Sequence, residues 1–411
     1  MSPQQSESAY GNDAIYEQPD CPVCGSSRQQ QLYQRRKRSG TSLGEITISV
    51  SQCSDCGFVY NSPRVRQTIL AEHYYSSPLA SGQTYRDEGP QGYYTGLNQT
   101  RARFLNSFLG HQAQGKLLDI GCGVGGFLDA FSNEAVSAWQ CFGLEPSLEA
   151  SASATAKGYQ VETAMLAQDG YEAESFDAIS LVSVLEHLPD LHQALQRLSE
   201  LLKADGILFI EVPNLLKPEL SLTGFFSLEH IQHFTPGSLA ALLGQYGLTQ
   251  IIIDPNVSNK IIRLVAARQM GRWSDAALLQ FADDRTEATA AVKAYAEKEQ
   301  QLLTELERNV AGSFARWQQQ GFNIAIYGAG IHTAELMGHF DLQAVTSVLI
   351  DGDPKKQGTR FLGLPVYAPE QIVELGVDAI LVSSNRFQDE IVRNIRQLAG
   401  DRVEIAMCYS E

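Results

Sequence analysis

Residues 117 to 127, LLDIGCGVGGF, combine an apolar run, one acid and closely spaced glycines. Leu117, Leu118 and Ile120 predict a strand that is buried on both faces, and the glycines from Gly121 onward predict a tight turn into a helix. Glycine suits such a turn because a side chain would hold a ligand away from the backbone, and because some of the dihedral angles are closed to other residues. The stretch therefore predicts a ligand site at the end of a buried strand.

Two acids indicate what the turn binds. The spacing of Gly121, Gly123 and Gly126 also satisfies the dinucleotide pattern GxGxxG, which alone is a weak signal. Asp119 lies at the strand end, where a carboxylate would repel a pyrophosphate and attract a cation. Glu145 follows Gly123 by about 20 residues, the distance to the next strand end in a βαβ unit, and can accept both hydroxyls of a ribose. Together, Asp119, the glycine turn and Glu145 therefore suit a ligand in which an adenosine is joined to a cationic group.

Four of the seven cysteines form two close pairs, Cys21 with Cys24 in CPVCG and Cys53 with Cys56 in CSDCG. The sequence opens without an apolar export signal, which predicts a reducing compartment. In such a compartment, closely spaced cysteines indicate a metal site rather than disulfide bonds. Two such knuckles match an N-terminal zinc ribbon, in which four thiolates close a tetrahedral shell around a structural zinc ion. The alternative is four reduced thiols without metal.

Alternating segments predict the elements that position the glycine turn. Helices are expected at 97 to 110, from Phe127, at 147 to 157 and at 190 to 203, and strands at 140 to 144, near Val161, at 176 to 183 and at 206 to 212. An antiparallel pair at 248 to 254 and 261 to 267 follows. This alternation predicts an α/β fold with a doubly wound parallel sheet, whose ligands lie beyond the carboxyl ends of the strands.

The chain has 411 residues, a formal net charge of −16 and a sequence pI near 5.0. An acidic average field repels nucleic acid and anionic membranes, and no apolar run reaches the roughly 18 residues of a membrane span. We therefore expect a cytoplasmic protein without a nucleic-acid or membrane partner, and we leave the oligomeric state open. Residues 1 to 18 are expected to form a disordered tail.

A basic run, Arg35 to Arg38, lies between the cysteine pairs. We interpret it as the solvated tip of a hairpin, because the rest of the chain is acidic and no aromatic residues interleave with it. A nucleic-acid-binding loop and a contact with an anionic substrate, such as a nucleotide diphosphate, are the alternatives. The tyrosines that follow suit either a lid over a ligand or a plug between ribbon and core; they are Tyr74, Tyr75, Tyr85, Tyr93 and Tyr94.

The last third of the chain predicts a bridge and a second α/β unit. Residues 274 to 318 carry apolar side chains at helical spacing, which predicts a long helix between two domains. A second glycine turn, with Gly328 and Gly330, follows a buried strand, and its helix start either holds a phosphate or has no ligand. The predicted domains are a zinc ribbon at 19 to 70, a core with its tyrosine-rich lead-in at 71 to 270, a bridging helix at 271 to 320 and a smaller Rossmann-like domain at 321 to 411.

Five stretches resemble, in order, the motifs of class I S-adenosylmethionine-dependent methyltransferases: LLDIGCGVGGF, GLEPS, FDAISLVSVLEHLPD, GILFIEVPN and LEHIQHFTPGSLAALLGQYGL. The resemblance implies a Rossmann-like methyltransferase core with S-adenosylmethionine as cofactor. It also implies that residues after the third strand flank the adenine, and that residues after the fourth line the methionine side. The expected cofactor-binding residues are Asp119, Gly121, Cys122, Gly123, Glu145, Pro146, Ala164, Met165, Ser183 and Leu185.

Methyl transfer requires an aligned nucleophile and often the removal of a proton. In LEHIQHF, His230 is the predicted general base, because an imidazole titrates near neutral pH. Glu229 would orient or assist it, and His233 is an alternate base or a substrate contact. The alternative is that both histidines only pack or cap the helix that begins at Thr235, a good N-cap followed by proline. His187 resembles a family position that is usually structural, so it is not assigned as the base.

The order of ribbon, core and Rossmann-like domain, with VLIDGDPKKQGTRFLGLPVYAPEQI and SSNRFQDEIV near the end, is similar to that of the three-domain deoxysugar C-methyltransferases. In that family the C-terminal domain helps to bind a nucleotide sugar, and the histidine matched by His230 removes a proton beside a ketone. The resemblance implies a nucleotide-linked keto sugar or a related natural-product intermediate as the acceptor. The alternatives are an O- or N-methyltransferase for another polar metabolite, an RNA-directed methyltransferase, a non-catalytic binding protein and a dinucleotide oxidoreductase.

Overall fold

The structure is a computed structural model that describes residues 15–38, 45–70, 93–110, 114–134, 138–222, 224–268, 273, 283–384 and 387–409. Tyr74, Tyr75 and Tyr85 of the predicted lid lie outside the described residues, as do residues 1 to 14 of the predicted tail. Among the described helices, none combines the length and the apolar character that a membrane span needs.

The N-terminal unit carries both cysteine pairs. Its strands are β1 (Tyr16–Glu17), β2 (Gln29–Arg38), β3 (Glu45–Cys53), β4 (Val59–Asn61) and β5 (Arg64–Val65). β2, β3 and β4 form an antiparallel sheet, and β1 pairs with β5. Ile15, just before β1, is buried. The predicted disordered tail is therefore wrong at residues 15 to 17, which gain backbone hydrogen bonds and burial.

The basic run lies on β2, where alternate side chains face opposite sides of the sheet. Arg35 is 8% exposed, and its Nη1 lies 2.9 Å from Oε1 of Glu299. Lys37 Nζ lies 2.7 Å from Oε1 of Glu335. The predicted solvated tip is therefore wrong for Arg35 and Lys37, because acids from the last third of the chain cover this side of the hairpin.

The central unit is a seven-stranded sheet with the order β12-β13-β10-β9-β6-β7-β8. In chain order its elements are α1 (Tyr93–Leu109), β6 (Gln114–Ile120), α2 (Gly126–Glu134), β7 (Ala138–Leu144), α3 (Leu148–Ala156), β8 (Gln160–Glu162), β9 (Phe176–Val182), α4 (Leu191–Leu201), β10 (Leu202–Pro213), β11 (Gln232–His233), α5 (Pro236–Gly244), β12 (Gln250–Ile253) and β13 (Ile261–Ala267). Five neighbouring strands of this sheet are parallel, namely β10, β9, β6, β7 and β8. Strand β13 is antiparallel to both of its neighbours, β10 and β12. The predicted doubly wound α/β fold is confirmed, as a mixed sheet. Strand β11 instead pairs with β4 of the N-terminal unit.

The C-terminal unit is a six-stranded sheet with the order β16-β17-β15-β14-β18-β19. Two helices lead into it, α6 (Arg285–Leu306) and α7 (Gly312–Gln319), joined by a π-helical turn. The unit itself comprises β14 (Ile324–Tyr327), α8 (Ile331–Phe340), β15 (Val348–Ile350), β16 (Arg360–Phe361), β17 (Leu364–Tyr367), β18 (Ala379–Val382), α9 (Gln388–Ala399) and β19 (Glu404–Met407).

Helices α6 and α7 connect two hydrophobic cores. Val292 and Tyr295 on α6 pack with Tyr33 and Val50 of the N-terminal sheet. Further along, the buried side chains contribute to the core of the C-terminal unit; they are Leu306, Val310, Phe314 and Trp317. These residues follow the apolar spacing of the sequence, because a stripe on one helical face can be buried against both neighbours.

Candidate active site

The glycine turn begins where β6 ends. Gly121 has φ 68° and Gly123 has φ 54°, a left-handed conformation that a Cβ disfavours. A Cβ on Gly121 would also lie 2.6 Å from Cγ2 of Val184, in the loop after β9. The turn therefore packs directly against the end of the neighbouring strand, and glycine is required at Gly121 for both reasons.

Glu145 lies just beyond β7 and is buried beside the turn. Its Oε2 accepts a hydrogen bond from the amide of Gly123 at 2.9 Å, and its Oε1 accepts one from the amide of Ser147 at 2.8 Å. Burial raises the pKa of Glu145, and the two amides oppose this shift. A carboxylate has about four acceptor sites, so the oxygens retain capacity for two ribose hydroxyls.

Asp119 lies near the carboxyl end of β6 and is 3% exposed. The hydroxyl of Ser180 donates to its Oδ1 at 2.7 Å. Burial raises the pKa of Asp119 to about 7, against the opposing effects of the Ser180 hydrogen bond and the nearby Arg101. A buried carboxylate of this kind gains stabilisation from a bound cation, since the cation compensates the lost hydration.

The structure contains a buried network of ion pairs on the sheet that carries Asp119, and the sequence analysis did not predict it. Glu211 on β10 forms ion pairs with Arg101 of α1 and Arg263 of β13, and Arg263 Nη1 lies 3.1 Å from Oδ2 of Asp254. These residues are far apart in sequence, and no local pattern marks them as partners. The network fixes α1 against the sheet beside the glycine turn.

The other expected cofactor residues divide into two groups. Pro146 and Ala164 are half-buried, and Met165 and Ser183 are exposed at the carboxyl edge of the sheet. Ser183 has φ 55°, and its amide donates to the carbonyl of Glu211 at 2.8 Å. All four lie where a ligand at the strand ends can reach them.

Cys122 and Leu185 have buried side chains. A Cβ on Gly143 would lie 2.5 Å from Sγ of Cys122, so this thiol points beneath the turn into the sheet. Leu185 belongs to the hydrophobic core. Both side chains fill the core below the site, so a contact of Cys122 or Leu185 with the cofactor would have to involve the backbone, and their assignment stays a prediction.

His230 and His187 lie together at the same edge of the sheet. Their ring centroids are 4.8 Å apart in an edge-to-face arrangement. The carbonyl of Glu229 lies 2.9 Å from Nδ1 of His187, so this nitrogen donates its proton and Nε2 is an acceptor. Burial lowers the pKa of His230, and the nearby Glu229 carboxylate partly opposes this lowering. Burial also lowers the pKa of His187, to about 3. Both rings are therefore neutral near pH 7, and each has one nitrogen without a proton.

Glu186 completes this cluster. It is 1% exposed, and neither carboxylate oxygen has a hydrogen-bond partner among the described residues. Glu186, His187 and His230 each contribute an atom to a group within 4.8 Å of one another. Burial raises the pKa of Glu186 to about 8. The sequence LEH at residues 185 to 187, just after β9, was the signal for Glu186 and His187. The sequence alone did not connect these residues with His230.

His233 has a different environment. Its side chain is 3% exposed, its Nε2 donates to Oδ1 of Asn61 at 2.8 Å, and its ring lies 4.8 Å from that of Phe226. The prediction of His233 as an alternate base or substrate contact is therefore wrong, since the ring is enclosed by protein. The alternative of packing describes it correctly. Thr235 caps α5 in a capping box with Ser238.

The four paired cysteines lie in one cluster. Sγ of Cys21 is 3.5 Å from Sγ of Cys56, and Sγ of Cys24 is 3.5 Å from Sγ of Cys53. All four sulfur atoms lie within 4.8 Å of one another. Tetrahedral zinc with Zn–S bonds of about 2.3 Å separates its sulfur ligands by roughly 3.8 Å. The donor set and its spacing therefore fit one zinc ion.

The second glycine turn also involves an acid. The amide of Ala329 donates to Oδ2 of Asp351 at 2.8 Å, and Lys356 Nζ lies 2.8 Å from the same oxygen. Thr333 Oγ1 donates to the carbonyl of Gly328 at 2.8 Å. The amide of Ala329 thus already has an acceptor, and phosphate binding at this helix start stays a prediction.

Two segments match known protein families. Residues 94–252 match the family model described as a methyltransferase domain, and residues 321–406 match one described as C2185-like, N-terminal. The C-methyltransferase NovU of Streptomyces niveus is 26% identical over 227 residues, which cover 51% of this chain and 52% of NovU. The ubiquinone biosynthesis O-methyltransferase of Histophilus somni is 32% identical over 126 residues, covering 29% of this chain and 53% of that protein.

The chain thus spans about half the length of these curated relatives. Among solved structures, the CurJ carbon methyltransferase has a TM-score of 0.37 and 17% sequence identity, over 41% of this chain and 53% of that chain. The family match coincides with the sheet that carries Asp119, the glycine turn and Glu145. Residues 94–252 therefore form a class I S-adenosylmethionine-dependent methyltransferase domain.

Proposed function

We propose that this protein transfers a methyl group from S-adenosylmethionine to a small-molecule acceptor, a nucleotide-linked keto sugar or a related natural-product intermediate, with His230 as the general base. One observation carries the proposal: the glycine turn and the histidine pair are neighbours. Gly121 packs against Val184, which directly precedes the Leu185–His187 turn. His187 is in turn edge-to-face with His230.

The chain's residues would hold the cofactor by charge and by hydrogen bonds. Asp119 would compensate the cationic methionine half, and Glu145 would accept the ribose hydroxyls. The backbone of the glycine turn allows close approach because no side chain intervenes. When bound, S-adenosylmethionine supplies an electrophilic methyl group on a sulfonium.

His230 would remove the acceptor's proton. In a keto sugar, the C–H bond beside the carbonyl breaks, the proton goes to the neutral imidazole, and the electron pair moves toward the carbonyl oxygen. Glu229 would stabilise the imidazolium that forms, because its carboxylate already opposes the lowering of the His230 pKa. The carbon would then be the nucleophile. General bases of this kind contribute about 100- to 10,000-fold to rate.

An O- or N-methyl acceptor is the second candidate. The similarity to ubiquinone biosynthesis O-methyltransferases favours it, since their names specify methylation at oxygen. In that case His230 would take the proton of a hydroxyl or ammonium group. An RNA acceptor has less support, because Arg35 and Lys37 of the basic run are engaged by Glu299 and Glu335.

Incubation with methyl-labelled S-adenosylmethionine and a panel of 4-keto nucleotide sugars, followed by mass spectrometry, tests the acceptor. We expect a gain of one methyl group. His230→Asn should lower the rate by about 100-fold or more and leave cofactor affinity unchanged. His339→Asn is the matched control, since His339 is an exposed residue of the C-terminal unit.

Two outcomes would contradict parts of this proposal. Methylation of a hydroxyl or amine acceptor, with none of any keto sugar, would move the assignment to the second candidate. Titration that detects no uptake of S-adenosylmethionine or its demethylated product would remove the methyl-transfer assignment altogether.

The four cysteines would hold one structural zinc ion, for which their separation supplies the support. We expect metal analysis of the purified protein to give one zinc per chain, lost in Cys53→Ser and retained in Cys141→Ser. Cys141 is the control because it lies on β7, outside the cluster. A zinc content that stays at one per chain in both Cys53→Ser and Cys21→Ser would contradict the four-cysteine site.

A further inference from the structure

The N-terminal unit extends into the neighbourhood of His230 through one short pair of strands. β4 begins at Val59, three residues after Cys56, and β11 ends at His233, three residues after His230. The two strands pair antiparallel, with Gln232 opposite Tyr60 and His233 opposite Val59. The cysteine cluster and the predicted base are thus connected by a few residues of paired backbone.

Asn61, the last residue of β4, contacts the chain on both sides of His230. Its Nδ2 donates to the carbonyl of Ser227 at 2.8 Å, and its Oδ1 accepts from Nε2 of His233 at 2.8 Å. Its backbone amide donates to the carbonyl of Ile231 at 2.9 Å. The hydroxyl of Ser227 accepts from the amide of His230 at 3.1 Å. One buried residue therefore contacts residues 227 to 233 at three points, two through its side chain and one through its backbone amide.

The two units also contact each other through apolar side chains, among them Phe58 and Phe234 at 5.5 Å between ring centroids, within a core shared by both units. Asn61 is 3% exposed, and a buried amide group is costly unless its donor and acceptor are both satisfied. Both of its side-chain partners lie in the segment that carries His230.

We propose that Asn61 is a positioning residue for His230, and that zinc bound at Cys21, Cys24, Cys53 and Cys56 fixes His230 through β4 and Asn61. The inference rests on the proposed function, because it takes His230 as the base. It adds a catalytic task to the N-terminal unit, whose metal would otherwise only stabilise the fold. Zinc would hold the second knuckle, from which β4 emerges, and β4 would hold the segment 227 to 233.

Hydrogen–deuterium exchange of the full chain tests the inference without any acceptor. Asn61→Leu keeps the size of the side chain and removes its hydrogen bonds. We expect exchange in peptides spanning 227 to 234 to rise by about 10- to 100-fold, while peptides spanning 324 to 350 stay unchanged. Removal of zinc with a chelator should produce the same local rise, and re-addition of zinc should reverse it.

The kinetic arm separates positioning from general stability. In Asn61→Leu we expect kcat to fall by about 10- to 100-fold, with KM and the affinity for S-adenosylmethionine within about twofold of wild type. Asn323→Leu is the matched control, because Asn323 Nδ2 also makes two hydrogen bonds, to the carbonyls of Leu375 and Gly376 at 3.0 Å each, in the C-terminal unit. It should leave kcat unchanged.

Several outcomes would overturn the inference. Unchanged exchange at 227 to 234 in Asn61→Leu would show that Asn61 does not hold the segment, and unchanged exchange after verified loss of zinc would show that zinc does not. If Asn61→Leu and Asn61→Ala both fail to fold, or both lose cofactor binding, Asn61 maintains the fold and does not position His230. A wild-type protein that methylates nothing, yet shows the exchange response, would contradict the proposed function and not the structural connection.

Discussion

In two places in this molecule a strand ends in a glycine turn whose backbone amide donates to an acid at the end of the next strand. In the methyltransferase domain the amide of Gly123 donates to Glu145 at 2.9 Å, and in the C-terminal unit the amide of Ala329 donates to Asp351 at 2.8 Å. In both, the acid follows the amide by 22 residues. The same strand–turn–helix arrangement therefore occurs once in each of two separate sheets.

The surroundings of the two acids differ. Asp351 Oδ2 also lies 2.8 Å from Lys356 Nζ, whereas Glu145 forms no ion pair among the described residues. The first turn has a second acid, Asp119, two residues before its leading glycine. At the same place before Gly328 the second turn has Ile326, which is buried in the core.

The two glycine turns share a backbone shape but differ in the charged residues around them. Glycines and strand spacing produce a turn that a ligand can approach, and both turns have that shape. Asp119 and Glu145 make the first turn suitable for a cation and a diol, while Lys356 already pairs with the acid of the second. Function therefore depends on the residues around a common turn and not on the turn itself.

The largest effect is expected from adding a methyl group to each turn. In Gly121→Ala the Cβ would lie 2.6 Å from Val184 Cγ2 at φ 68°, and a left-handed residue with a Cβ costs about 1–2 kcal/mol before the clash. We expect affinity for S-adenosylmethionine to fall by about 100-fold or more, measured by calorimetry. Gly330→Ala is the control, because nothing lies within 4 Å of its Cβ position. Equal losses in both variants would break the distinction between the turns.

The next effect concerns the acids. Glu145→Gln leaves one acceptor oxygen for two backbone amides and removes the charge. Hydrogen bonds to charged groups contribute about 1.5–3 kcal/mol, so we expect S-adenosylmethionine to bind about 10- to 150-fold more weakly. Asp351→Asn makes the equivalent change in the second turn and should not alter this affinity. Weaker cofactor binding in Asp351→Asn would mean that the C-terminal turn takes part in the site.

The first turn should respond to pH through Asp119, whose pKa burial raises to about 7. A cation binds the ionised carboxylate, so affinity for S-adenosylmethionine should rise about tenfold per pH unit up to about pH 7 and then level off. Since the folded state holds this proton to higher pH than the unfolded state, Asp119 also lowers stability as pH rises from about 4 to about 7. Asp119→Asn should abolish both trends, measured by calorimetry and urea unfolding. A binding curve that keeps its slope in the variant would assign the titration elsewhere.

The features predictable from the sequence were those encoded locally. An apolar run, its glycines and an acid one βα unit later predicted the strand, the turn and the position of Glu145, because each depends on neighbouring residues. The cysteine pairs predicted a cluster that the fold brings together, since each knuckle is itself a local turn. Thr235 and Pro236 predicted the start of α5 for the same reason.

What the sequence missed depends on contacts between distant segments. Asn61 and His233 are 172 residues apart, and Arg35 and Glu299 are 264 residues apart. No periodicity links such partners, so His233 was predicted as an alternate base or a substrate contact, with packing as the alternative, and Arg35 as solvated. His187 was not assigned as the base because it resembles a family position that is usually structural. Its contact with His230 forms only when β9 and the segment after β10 meet at the sheet edge.

The smallest effect tests whether charge alone separates the two turns. Lys356→Met removes the cation beside Asp351 and leaves the glycine turn and its amide hydrogen bond intact. Because this pair is partly buried, we expect a loss of about 1 kcal/mol in unfolding free energy, seen as a slightly lower midpoint in urea. Calorimetry should still give one S-adenosylmethionine per chain, since Ile326 stands where Asp119 stands in the first turn. A second equivalent bound by Lys356→Met would mean that the lysine alone blocks the C-terminal turn, and that the acid within the strand is not required.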